Sequence, residues 1–132
     1  MEDLRPTIKL MADYDCWPLW NLTEVDNVDP ETLPLSIATK QALSDWQQAL
    51  DRTLNRDDPL QSGFETPEEE VAFNTEGWRL WDRLRKELPD FKVVYFDHEL
   101  YRVFDERPSG ISLSLFRRIW RLTFRRVYRA KF

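Results

Sequence analysis

The sequence predicts an α+β fold: a small, mostly antiparallel sheet packed against two amphipathic helices, with a basic C-terminal helix. Three observations predict it. Alternating or β-rich stretches fall at residues 7–15 and 91–104, two segments with three- and four-residue apolar spacing lie between them, and arginines recur every four residues near the end. At 132 residues, 42% hydrophobic and 14% aromatic, the chain is long enough for one core and too short for two ordinary domains. Residues 1–132 are therefore read as one domain, an acidic body at 1–105 and a basic element at 106–132.

The first strand is expected in TIKLMADYD, where Ile8, Leu10, Ala12 and Tyr14 alternate with Thr7, Lys9, Met11 and Asp13. Pro18 ends it, and the acidic, proline-containing NLTEVDNVDPETLP at 21–34 reads as a surface loop. A helix follows near 35–54. There Ala42, Leu43, Trp46, Ala49, Leu50, Thr53 and Leu54 recur on one side, while Lys40, Gln41, Asp45, Gln48 and Arg52 fall elsewhere. The turn-forming NRDDPLQSGF stops it.

The second helix, near 67–88, has the clearest start in the chain. Thr66 stands as N-cap, Pro67 at the first helical position, and Glu69 where its side chain can return to the cap as a capping box. Glu68, Glu69 and Glu70 sit at the positive end of the helix dipole, which gives that acidic run a structural reason. The apolar side carries Phe73, Leu80, Trp81, Leu84 and Leu88, flanked by Val71 and Trp78. Beyond Pro89, FKVVYFDHELYRVF fits either a hairpin turning at Asp97-His98-Glu99 or one long strand. From about Leu115, Phe116, Ile119, Thr123, Val127 and Ala130 keep helical spacing, which places Arg117, Arg121, Arg125 and Arg129 on one stripe.

Charge is unevenly spread. Residues 106–132 hold eight of the 19 basic residues and one of the 24 acidic ones, so the net −5 divides into +7 for this tail and −12 for the rest. An acidic body repels nucleic acid and anionic membranes and steers toward basic proteins. The tail has several possible uses: it can fold onto the body and neutralise it, bind nucleic acid, lie on a membrane surface, or meet the acidic face of a second copy. Nucleic acid through Arg117, Arg121, Arg125 and Arg129, interleaved with Phe116, Trp120, Phe124 and Tyr128, is the alternative to protein binding.

Several classes of chemistry are set aside. No apolar run is long enough to span a bilayer, and the acidic N-terminus lacks the pattern of a secretory signal, so residence in the cytoplasm is expected. Cys16 is the single cysteine and His98 the single histidine, too few for a disulfide or a structural zinc site. Cys16 as a nucleophile would need His98 beside it, and its acidic neighbours would raise the thiol pKa. His98 itself reads as a solvated residue in a turn. The pairs Asp13 and Asp15, Asp26 and Asp29, and Asp57 and Asp58 miss the calcium-loop spacing, and three scattered glycines make no phosphate loop. No enzymatic activity, metal or cofactor is expected.

The order of DYDCWPLW, VDPETLPLS, LNRDDPLQSGF and PEEEVAF, over residues 12–97, resembles a group of small acidic bacterial cytosolic proteins similar to the immunity proteins that protect against contact-delivered toxins. The resemblance implies a cognate basic protein as partner, with a nuclease toxin as one form of it, and carries over no functional residue. Taken with the charge pattern, it marks Asp13, Asp15, Trp17, Trp20, Asp26, Asp29, Asp57 and Asp58 as candidate partner-binding residues. Trp17 and Trp20, held by Pro18, either form an aromatic anchor pair among carboxylates or plug the end of the helix pair where the first strand leaves the sheet, and burial of at least one of the two rings is expected.

Overall fold

The structure is a computed structural model in which residues 2–108 are described. Five strands form one sheet: β1 (Thr7–Leu10), β2 (Leu19–Asn21), β3 (Asp26–Val28), β4 (Lys92–Asp97) and β5 (Arg102–Phe104), in the order β3-β2-β1-β4-β5. Every neighbouring pair is antiparallel except β1 and β4. That exception follows from connectivity, because two helices, α1 (Ile37–Asp51) and α2 (Pro67–Glu87), lie between β3 and β4 and carry the chain across the sheet. This is the α+β architecture expected. The expected basic helix with its four arginines lies outside the described residues.

Strand register sorts the side chains. Ile8 stands opposite Val93 and Leu10 opposite both Tyr95 and Leu19, so these five share one face. That face meets Leu43, Trp46 and Leu50 of α1 and Trp78, Leu80, Trp81 and Leu84 of α2 in a single buried cluster. Trp78 is 1% exposed and belongs to the centre of the α2 face, not its flank.

Two expectations for the first third need correction. β1 stops at Leu10, not at residue 15. The Met11 N–H turns to the Pro18 carbonyl, the Gln47 side-chain amide donates to the Asp13 carbonyl, and Asp15 takes a left-handed φ of 58°. Ala12 and Tyr14 still pack on the core, so the alternation reported burial beyond the end of the ladder. The segment 21–34 is also more than a loop, for it completes β2, forms β3 and adds a single 3-10 turn at Pro30–Thr32. Side-chain amides reinforce the backbone pairing of β2 with β3. The Asn21 carboxamide oxygen accepts from the Thr23 and Glu24 N–H groups, and Asn27 donates to the Trp17 and Leu19 carbonyls.

Both helix starts are capped, by Ser36 accepting from the Thr39 N–H and by Thr66 accepting from the Glu69 N–H. The Glu69 carboxylate returns to the Glu65 N–H at 3.3 Å, one residue before the cap, so the expected box closes one residue early. Glu87, at the end of α2, accepts from the Ser36 N–H and the Thr39 hydroxyl and ties the end of α2 to the start of α1. Burial pushes the Glu87 carboxyl up. Its hydrogen bonds to Ser36 and Thr39, with Arg83 nearby, outweigh that and hold it below the usual range.

Gly77 lets α2 close on the sheet. A Cβ there would stand 2.6 Å from Tyr95 Cζ and 2.8 Å from Trp46 Cζ2, contacts no side chain tolerates. A mid-helix glycine costs about 1 kcal/mol relative to alanine. The close approach of α1, α2 and β4 offsets it.

Candidate interaction face

The turn after β1 is the hub of the candidate residues. Asp13 accepts from the Tyr14 N–H and its carbonyl anchors Gln47, while the Asp15 N–H donates to Asp51 at the end of α1. Arg56 grips both Asp15 oxygens, at 2.8 and 3.2 Å, and holds that carboxyl below the ordinary range. Cys16 sits half-buried in the same turn, its thiol pushed up first by burial and then by Asp13, Asp15 and Asp51. A raised thiol pKa is the reverse of what a nucleophile needs.

Neither tryptophan of this stretch is fully buried, contrary to the expectation for at least one of them. Leu19 takes the core position instead, and the pleat turns Trp20 to the opposite face of the sheet. Trp20 is half-buried, donates to the Met11 carbonyl at 2.9 Å, and has the Lys9 ammonium 5.8 Å from its ring centre. Trp17 is 48% exposed and is fixed through its backbone, which exchanges hydrogen bonds with the Asn27 carboxamide.

The six aspartates divide into two groups. Asp13 and Asp15 stand near α1 and the 53–64 loop, into which Asp57 and Asp58 fall; the Asn55 carboxamide oxygen shapes that loop by accepting from both of their N–H groups. Asp26 and Asp29 belong to the β2–β3 region with Trp17, Asp26 pairing with Asn21 and Asp29 capping the Pro30–Thr32 turn. Among the described residues, Asp13, Asp26, Asp57 and Asp58 are exposed and form no ion pair.

The hairpin turn between β2 and β3 adds a feature the sequence did not suggest. Val25 is 87% exposed with φ at 54°, a conformation costly for a β-branched residue, and Leu22 beside it is also exposed. Next to Asp26, which pairs with Asn21 at the end of the hairpin, this makes an apolar tip bordered by carboxylate.

Two clefts flank the 53–64 loop and share Thr53, Gly63 and Phe64 as a common wall. The larger runs between α1 and α2 and is lined by five acidic residues, among them Asp45, Asp57 and Glu76, against Arg52 and Arg56. The smaller, about 560 Å³, lies between the 59–64 segment, residues 11–14 and the β4–β5 turn. His98 stands there half-buried, edge-on to the rings of Phe64 and Phe73 and tilted against Tyr101, rather than simply solvated in its turn.

Behind this face lies a buried polar network. Asp97 accepts from the Glu99 and Leu100 N–H groups through one oxygen, and from Asn74 and the Trp78 indole through the other. Asn74 in turn accepts from the Tyr95 hydroxyl and the His98 N–H. These bonds fix the β4–β5 turn against α2. Asn74 lies on the apolar side of α2, where apolar spacing alone does not reveal a polar role.

No helix among the described residues is long and apolar enough to cross a membrane, and no group of three or more His, Cys, Asp or Glu residues there is placed to hold a metal ion. A comparison with curated proteins finds no match. The family model described as Serratia CdiI immunity protein-like matches residues 6–98, from the start of β1 through β4, including both helices, the 13–17 turn and the 53–64 loop. A match over that much of the chain establishes kinship with proteins whose general role is inhibition of a toxin. The chain belongs to the Serratia CdiI immunity protein-like family.

Proposed function

We propose that this protein is a non-enzymatic inhibitor that acts in the bacterial cytoplasm by binding a basic cognate toxin and covering the toxin's active surface. The observation that carries the reading is the set of exposed aspartates that form no ion pair among the described residues, Asp13, Asp26, Asp57 and Asp58, together with the exposed Trp17, on a chain of immunity-protein kinship. Unneutralised carboxylates steer a basic partner and are screened by salt, whereas an exposed aromatic supplies affinity by desolvation on contact. Asp15 contributes less, because Arg56 already holds it. Asp29 serves as a cap and Trp20 as a half-buried wall of the sheet, so both support the face more than they contact a partner.

The test is a pull-down with the tagged full chain at low and at moderate salt, followed by mass spectrometry and growth protection on co-expression. One stoichiometric basic protein retained at moderate salt, toxic alone and harmless with this chain, is the expected result. Recovery mainly of nucleic acid released by salt would overturn it and move function to Arg117, Arg121, Arg125 and Arg129.

A further inference from the structure

We infer that the tip of the β2–β3 hairpin, residues 22–26, is a preformed plug that enters a concave basic site on the partner; the inference deepens the proposed function and rests on the partner being a basic protein. The tip is held in shape by the chain itself. Asn21 and Asp26 close it as the last cross-strand pair, and the Asn21 carboxamide oxygen accepts from the Thr23 and Glu24 N–H groups, both at 2.9 Å. Thr7, at the start of β1, anchors it from the side: its N–H donates to the Thr23 hydroxyl at 3.0 Å, and its carbonyl accepts from the Leu22 N–H at 2.9 Å. A turn fixed in this way has little left to order on binding, so more of the contact energy appears as affinity.

The fold alone gives Val25 no reason to stand there. A φ of 54° suits glycine, asparagine or aspartate and is costly for a β-branched side chain, and at 87% exposure the valine recovers almost nothing by burial. Strain kept at a fully presented apolar side chain points to a use outside the fold. Leu22, in the same turn, is also exposed, and Glu24 and Asp26 flank Val25, both exposed and without an ion pair among the described residues. The surrounding chain carries one sign of charge. Residues 10–39 hold six acids and neither lysine nor arginine; Asp15 and Glu31 are paired with Arg56 and Lys40, which leaves the tip acids to a partner. An apolar centre between carboxylates has the anatomy of a hot spot: Leu22 and Val25 are small enough to enter a pocket and lose their water there. Glu24 and Asp26 then have to meet lysine or arginine on the rim of that pocket, because a desolvated carboxylate without a cation is costly.

The experiment runs the pull-down with the full chain as parent, Val25→Asn, the double variant Glu24→Gln/Asp26→Asn, and Val103→Thr, which alters an exposed valine on the edge strand farthest from β3. Affinity for the retained basic protein and urea stability are measured for each. Val25→Asn should bind about tenfold more weakly while being at least as stable as the parent, a combination that damage to the fold does not produce. The double variant should lose about tenfold at low salt and less at moderate salt, and Val103→Thr should match the parent. Benzoylphenylalanine in place of Val25 should photo-cross-link to a partner segment that contains lysine or arginine. Parental affinity in Val25→Asn, equal losses in Val25→Asn and Val103→Thr, or no cross-link from position 25 would each overturn the plug. The two readings are told apart by the parent chain: if it retains a basic protein that Val25→Asn retains equally well, the plug alone is wrong and the toxin reading stands. If the parent retains no basic protein, the toxin reading falls and the plug falls with it.

Discussion

Asp97 with Trp78, and Asp15 with Trp17, are the same residue types put to opposite use. Asp97 is wholly buried and accepts hydrogen bonds from four donors among the described residues, one of them Trp78, which is itself buried. Asp15 is exposed and held by a single arginine, and Trp17 presents an open ring fixed only through its backbone. Removing a buried acceptor leaves several donors without partners in a low-dielectric interior, whereas an exposed ion pair exchanges readily with water. The first region holds the fold, and the second lies on the surface proposed to meet a partner.

The largest expected effect falls on the interior. Asp97→Ala should destabilise by about 3–5 kcal/mol, because the Asn74, Trp78, Glu99 and Leu100 donors lose their acceptor together. Urea unfolding would measure it, and a loss no greater than that of Asp15→Asn would erase the contrast. Gly77→Ala should cost about 2 kcal/mol, since overpacking against Tyr95 and Trp46 outweighs the gain in helix propensity.

Glu87→Gln should cost about 1 kcal/mol near neutral pH and flatten the acid limb of the stability profile. The sign follows from the lowered carboxyl pKa in the folded chain. The unfolded chain takes up the proton first, so the contribution is full above the ordinary value of 4.5 and is lost as pH falls below it. Unfolding midpoints measured between neutral and acid pH should therefore converge for Glu87→Gln and the parent protein at the acid end.

On the surface, Asp15→Asn should cost far less than Asp97→Ala, because an exposed, solvent-screened ion pair adds little to stability. Val25→Asn should raise stability by about 0.5–1 kcal/mol by relieving the left-handed strain at the hairpin tip. If that variant also weakens partner binding, the exposed valine belongs to the interface.

Much of the interior was legible in the sequence, and the interaction face only partly. The capped start of α2 at Thr66 and the stripes of α1 and α2 rest on local periodicity and turn chemistry and appear where expected, and of the two alternatives for 91–104 the structure forms the hairpin, turning at residues 98–101. The β2–β3 hairpin escaped because its strands are three residues long and are held by Asn21 and Asn27 side chains, which leave no alternation to detect. The partnership of Asp15 with Arg56, and the assembly of the smaller cleft from residues 11–14, 59–64 and 96–101, depend on segments brought together only by folding. Trp17 could be singled out by composition, but its exposure could not, because its backbone is placed ahead of β2 by the Asn27 side chain, ten residues further along the chain.

The most direct test of the central claim is affinity for the captured basic partner as a function of salt, compared among the parent protein, Trp17→Ala, and a variant with Asp13, Asp26, Asp57 and Asp58 all changed to Asn. The account predicts that the four-Asn variant binds at least about tenfold more weakly at low salt with a flattened salt dependence, and that Trp17→Ala loses about 2 kcal/mol, roughly thirtyfold, with both variants as stable as the parent. Unchanged affinity and salt dependence in both would contradict it and place the interface elsewhere on the molecule.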